Sequence, residues 1–190
     1  MKINDRLVQE RVFERTRELL AKKGLRGWNM DQLAQAAGLT KPTLYKIVGS
    51  KESLLEKVII GQIRDMQSQM LEIINGAEDY LEIMGRMLRA YPEFFRSAHT
   101  DYMQEVLLEF PAIESKVLAH TDSVTEQLAA FVRGGVAAGK LRSEVDPELL
   151  LELLKAVVHY TVTSGKEGPE RAEAMQKMFS MILDGLTPPS

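Results

Sequence analysis

The side chains best suited to chemistry lie close together. Thr40, Lys41, Pro42, Thr43, Tyr45 and Lys46 fall within seven consecutive positions, with Asn29 ahead of them and Lys51 just beyond. Two lysines, two hydroxyls and a phenol supply cationic donors, neutral donors and acceptors, and an aromatic face. That mixture suits phosphate oxygens, base edges and thymine methyl groups. It does not suit bond-making: the chain has no nucleophile elbow, phosphate-binding glycine loop, metalloprotease helix or dinucleotide fingerprint. With no cysteine, thiol nucleophiles, thiolate metal sites and disulfides are excluded together. His99, His120 and His159 have no second histidine or carboxylate at a spacing that compels a metal, although Asp101 and Asp122 each lie two residues beyond a histidine. The expectation is a non-enzyme with no metal and no cofactor.

Charge separates the chain into two parts. Of 190 residues, 45% are hydrophobic and 27% charged, with a formal net charge of −3. Residues 1–60 carry 12 Lys and Arg against 7 Asp and Glu, a net of +5, and residues 61–190 carry 12 against 20, a net of −8. A basic head on an acidic body fits a module that faces phosphate, attached to one that polyanions repel. The start, Met1-Lys2-Ile3-Asn4-Asp5-Arg6, has mixed charge rather than an apolar leader, and no apolar run reaches membrane-spanning length. A soluble, cytoplasmic protein with no membrane partner is expected.

Periodicity and punctuation place the reactive cluster on helices and give an all-α fold of about nine of them. A helix over roughly 4–23 ends at Lys22-Lys23-Gly24, where the lysines suit the helix dipole and glycine the left-handed stop. Asn29 caps a second, Met30–Ala37, with Gln32 placed to complete a capping box, and Gly38 ends it. Thr40 caps a short third helix with Pro42 in its first turn. A long fourth helix, opening at Ser50-Lys51, carries Leu54, Leu55, Val58, Ile59, Ile63, Met66, Met70 and Ile73 at three-and-four spacing. Proline and glycine then punctuate segments at roughly 78–90, 93–109, 112–138, 147–163 and 168–186, with a break at Pro92. The second and third helices form a helix-turn-helix, the unit that places a helix in the major groove. Residues 1–50 are read as this DNA-binding domain and residues 51–190 as a helical body.

The run Leu33-Ala34, Ala37-Gly38-Leu39-Thr40-Lys41-Pro42-Thr43-Leu44-Tyr45, Ser50-Lys51-Glu52 and Leu54 resembles the DNA-binding domain of the TetR family of bacterial transcriptional regulators, over roughly residues 8–58. The resemblance implies a repressor-like homodimer whose third helix reads a double-stranded operator. It places Thr40, Lys41, Pro42, Thr43 and Tyr45 at positions that face bases and phosphates, Lys51 at a common phosphate contact, and Asn29 at a cap that also approaches phosphate. Two positions depart from the pattern. Ile47 stands where the family often has a phosphate-contacting His or Tyr, a contact left to Lys46, and Val48 stands where it usually has a core Phe, which implies a differently filled core involving Trp28.

The body suggests two further sites. The segment 148–160 is apolar on more than one face, and with the last helix it predicts a four-helix dimer bundle built on Leu150, Leu154, Val158, Met175, Met178, Phe179, Ile182 and Leu183. Family members commonly bind a small molecule in this body. Met66, Met70, Met84, Met87, Tyr91, Phe95, Tyr102 and Met103 are candidates to line an apolar cavity, with Gln62, His120 or Tyr160 to orient an apolar or amphipathic effector. The competing reading is a helical protein-interaction module that binds DNA only weakly and without specificity.

Overall fold

The computed structural model describes residues 2–96, 101–166 and 168–188; the side chains of residues 2–5, Phe95, Arg96, Asp101, Leu118, residues 120–123 and Val162 fall outside that description. The described residues form nine α-helices and no strand. In order they are α1 (Lys2–Lys23), α2 (Met30–Ala37), α3 (Lys41–Val48), α4 (Lys51–Ile74), α5 (Tyr80–Arg96), α6 (Asp101–Glu109), α7 (Pro111–Ala137), α8 (Pro147–Thr163) and α9 (Gly168–Leu186).

The chain divides into two compact units, Met1–Ile63 with Ala98–Val117, and Arg64–Ser97 with Leu118–Ser190. The unit holding the helix-turn-helix thus extends past residue 50 to take in the first half of α4 and α6. Its core begins on α1, where Val12, Thr16 and Leu20 are buried at four-residue spacing. The Thr16 hydroxyl donates back to the Val12 carbonyl at 2.7 Å, so this buried polar group is satisfied within its own helix. Leu33, Ala34 and Ala37 of α2, Leu44 and Val48 of α3, and Leu54, Leu55, Val58 and Ile59 of α4 are buried in the same unit. Val48, in place of a bulkier aromatic, is 1% exposed, and Trp28 is 4% exposed.

In the second unit, Met84 and Leu88 of α5, Val132 of α7, Leu141, Leu150 of α8, and Met175 and Phe179 of α9 form one buried cluster. Tyr80 stacks on Phe131 with ring centroids 4.5 Å apart, and Tyr91 meets Phe179 edge-on at 6.1 Å. Gly135 is required here, because a Cβ on it would lie 2.2 Å from the Tyr80 ring.

The break expected at Pro92 is not there. α5 continues through it to Arg96, and α6 starts at Asp101. Proline removes one backbone donor and costs about 3 kcal/mol in a helix interior. Pro92 is itself buried, and Tyr91 and Phe94 beside it pack on the core cluster. The packing of these partly buried aromatic rings on the core offsets that cost.

Candidate nucleic-acid interface

The reading unit is assembled by local hydrogen bonds. The Asn29 side chain accepts from the backbone N–H of Asp31 and Gln32 at 3.1 and 3.0 Å, and the Gln32 side chain accepts from Asn29 N–H at 3.1 Å, closing a capping box. At the other end of α2, Gly38 adopts φ +67°, a left-handed geometry that glycine takes without Cβ strain. Leu39 N–H then donates to the Ala34 carbonyl at 2.8 Å, which turns the chain towards α3. Thr40 Oγ1 accepts from Thr43 N–H at 3.4 Å and shares a 2.8 Å hydroxyl–hydroxyl bond with Thr43. Both hydroxyls keep each other oriented at the N-terminal turn of α3.

Burial divides α3 into two faces. Leu44 and Val48 are buried, while Thr40, Lys41, Pro42, Thr43, Tyr45 and Lys46 are exposed, Tyr45 at 41%. The N-cap Thr40 and the five α3 residues singled out from the sequence are therefore all exposed to solvent, and Asn29 is exposed beside the start of α2. Ile47 is half-buried. Hydroxyls, a phenol and ammonium groups on an exposed helix of eight residues can donate to phosphate and read base edges.

Two of the three lysines are already engaged. Lys41 Nζ lies 2.8 Å from an oxygen of Asp31, and this carboxylate raises the lysine pKa, first through the hydrogen bond and then through charge. Nothing in the sequence spacing pointed to Asp31, because its partner stands on another helix, across the turn. Lys51 has partners within its own unit. Its ammonium donates to the carbonyls of Leu25 and Trp28 at 2.9 and 3.1 Å and sits 4.2 Å from the centroid of the Trp28 ring. Burial lowers its pKa, opposed by the charge of Glu109. Lys51, expected at a phosphate, is thus engaged with the loop before α2. Lys46 is exposed at the last turn of α3.

The body residues fall differently from expectation. Leu150, Met175 and Phe179, expected at a dimer interface, are buried in the chain's own core; Leu154, Val158, Ile182 and Leu183 pack partly against that core, and Met178 is half-buried. On α8 and α9 the large aliphatic groups left outside are Leu149 and Leu153, exposed by 64% and 48%, and Met181, exposed by 74%; elsewhere in the body Leu81 and Leu108 are also exposed. Tyr160 also projects from α8 at 55% exposure, so it does not line an interior cavity. Of the other effector candidates, Gln62, Tyr102 and Met103 are buried in the first unit. There the Tyr102 hydroxyl donates to Gln62 Oε1 at 2.9 Å. Met70, Met84 and Met87 are buried in the second unit, where Tyr91 and Met66 are half-buried. The side chains of Phe95 and His120, and His99 and the Asp101 and Asp122 side chains considered as metal ligands, lie outside the described residues.

Comparison with known proteins places this geometry. The family model for bacterial regulatory proteins of the TetR family matches residues 12–58. The HTH-type transcriptional repressor KstR2 of Rhodococcus jostii strain RHA1 is 25% identical over 177 residues, 90% of this chain and 87% of that protein. The HTH-type transcriptional regulator RutR of Escherichia coli K12 is 26% identical over 145 residues, 72% of this chain and 66% of that protein. The solved structure of the TetR-family regulator PfmR from Thermus thermophilus superimposes with a TM-score of 0.72 at 26% identity, covering 93% of this chain and 99% of that one. The matched segment contains the capped helix-turn-helix, and regulators of transcription align along most of the remaining length. Residues 12–58 thus carry the DNA-binding domain of the TetR family of bacterial regulatory proteins, and the chain is a DNA-binding transcriptional regulator.

Proposed function

We infer that the protein is a cytoplasmic, homodimeric repressor that binds a specific operator and is released from it by an apolar or amphipathic small molecule. The observation that carries the DNA side is the two-faced α3: Leu44 and Val48 anchor it while Thr43, Tyr45 and Lys46 are presented together. Residues 1–50 supply the reading surface and residues 51–190 the dimer and effector functions. The KstR2 relative is named a repressor, which supports repression over activation. Among the described residues no helix is long and apolar enough to cross a membrane.

The dimer forms through the outward side of α8 and α9. Leu149, Leu153, Ala156 and Tyr160 recur at helical spacing along α8, Met181 stands on α9, and all five are exposed. Two such helices from each copy close an isologous four-helix bundle. Buried methionines support the effector reading, because their flexible thioethers repack around apolar ligands more readily than branched side chains. Selection of bound duplexes from a random pool tests the function, followed by a metabolite screen on the selected complex. The expected result is a pseudo-palindromic site with half-sites about 34–36 Å apart or somewhat more. Recovery of no preferred sequence at moderate salt overturns the operator reading, and a screen that leaves affinity and melting temperature unchanged overturns release by an effector.

A further inference from the structure

We propose that Lys51 is a positioning residue for the DNA-reading head and not one of its phosphate contacts: it clasps the loop that leads into α2. The proposal rests on the DNA-binding reading above. An ammonium has three donors. Two are directed at the carbonyls of Leu25 and Trp28, and the charge lies over the indole face 4.2 Å from its centroid. An ammonium that swung away from these bonds to a phosphate would leave two backbone carbonyls to find other partners, so the clasp holds Lys51 in place.

What the clasp holds is the segment that sets α2. Trp28 immediately precedes Asn29, whose side chain caps α2, and α2 in turn carries the Gly38 turn into α3. The Trp28 ring is 4% exposed, and its Nε1 has no hydrogen-bond partner among the described residues. The indole is therefore located by packing and by the cation above it. The same loop is held from α6, where Glu105 accepts from Leu25 N–H at 3.0 Å and Glu109 pairs with Arg26 at 2.6 Å. Leu25 is thus fixed at both its N–H and its carbonyl, by side chains from two different helices. Lys51 supplies the anchor on α4, and through Trp28 and Asn29 it fixes the entry of the helix pair that reads DNA.

The two roles predict different salt behaviour. Each phosphate neutralised adds about 0.9 to the slope of log affinity against log salt. A residue that acts through α2 changes affinity without changing the number of phosphates contacted. The experiment measures operator affinity across a salt series for the full-length protein and for Lys51→Met, Lys51→Gln and Lys46→Met, together with the emission of Trp28, the chain's one tryptophan. The expected result for Lys51→Met is an affinity about tenfold lower at every salt concentration, an unchanged slope, and shifted Trp28 emission in the free protein. Lys51→Gln, which keeps an N–H donor for the carbonyls, should recover part of the affinity, and Lys46→Met should flatten the slope by about one. In the unmodified protein, Trp28 emission should be the same free and operator-bound, a measurement that stands even if Lys51→Met does not fold. A slope lowered by about one in both Lys51 variants with free-protein emission unchanged would overturn the proposal, as would a Trp28 emission change on operator binding by the unmodified protein. If the unmodified protein prefers no sequence, the DNA reading fails instead, while the emission of free Lys51→Met still tests the clasp.

Discussion

Asp31 faces Lys41 at the mouth of the recognition helix, and this pair sets how much positive charge α3 presents. Both side chains are more than half exposed, so the pair adds little to stability, and its importance lies in competition with phosphate. Asp31→Asn should free Lys41 and remove a carboxylate that repels the backbone. The expected outcome is tighter binding to random duplex, a steeper salt slope by up to about one, and a nearly unchanged melting temperature, read by fluorescence anisotropy and thermal unfolding. Thr43→Ala and Tyr45→Ala should instead alter which sequences are preferred, as side chains that read bases do. Tyr102 carries a prediction of another kind. Burial raises its phenol to about 12, partly offset by the charge of Arg17. An unfolded tyrosine titrates near about 10. Because the folded value is the higher, the stabilisation is complete below about pH 10 and is lost as pH rises towards 12. Tyr80, also raised to about 12 by burial, adds a similar loss in the other unit. Urea unfolding followed from pH 8 to 11.5 should show this decline, and Tyr102→Phe should make it shallower. At neutral pH that variant should cost about 1–3 kcal/mol, because Gln62 Oε1 is left buried without its donor.

Elements whose ends are set by short-range chemistry were legible from sequence; those decided by distant neighbours were not. Asn29, Gln32, Gly38 and Thr40 mark the bounds of α2 and α3 because each acts within about four residues, and the capping bonds lie where those residue types require. Asn29→Ala should therefore cost about 1 kcal/mol, seen as a lower denaturant midpoint for the unit containing α2. Pro92 misleads for the converse reason. Its local signal is helix termination, but the packing of Tyr91 and Phe94 on the core, invisible in a window around residue 92, carries α5 past it. The apolar excess of α8 was legible, and its division was not. Leu149 and Leu150 are adjacent and equally apolar, yet one is 64% exposed and the other 5%, because only the placement of α9 and the rest of the cluster decides which side turns inward. Lys51 resembles a phosphate contact by position. Its partners are carbonyls 23 and 26 residues earlier, which no side-chain pattern encodes.

For the whole molecule, the proposed dimer rests on the exposed side of α8 and α9. Single exposed apolar residues are ordinary, but Leu149, Leu153 and Tyr160 repeat on one side of one helix, and α9, with Met181 exposed, packs against that helix. At about 25 cal/mol per Å² of apolar surface removed from water, covering such a stripe on two protomers provides a substantial driving force for association. A charge placed at Leu153 and one placed at Leu150 should then fail in different ways. Leu153→Glu should unfold at nearly the native denaturant concentration but sediment as a monomer at micromolar concentration. Leu150→Glu should lower stability by several kcal/mol, since it puts an unpaired carboxylate into the core cluster. Operator binding provides the third readout. A dimer engages two half-sites through one association event, whereas a monomer holds one half-site at a time, so Leu153→Glu should lose affinity for the full operator by orders of magnitude and retain affinity for a half-site. A Leu153→Glu protein that remains dimeric and binds the full operator normally would show that the copies meet elsewhere, and the exposed face of α8 would then need another occupant.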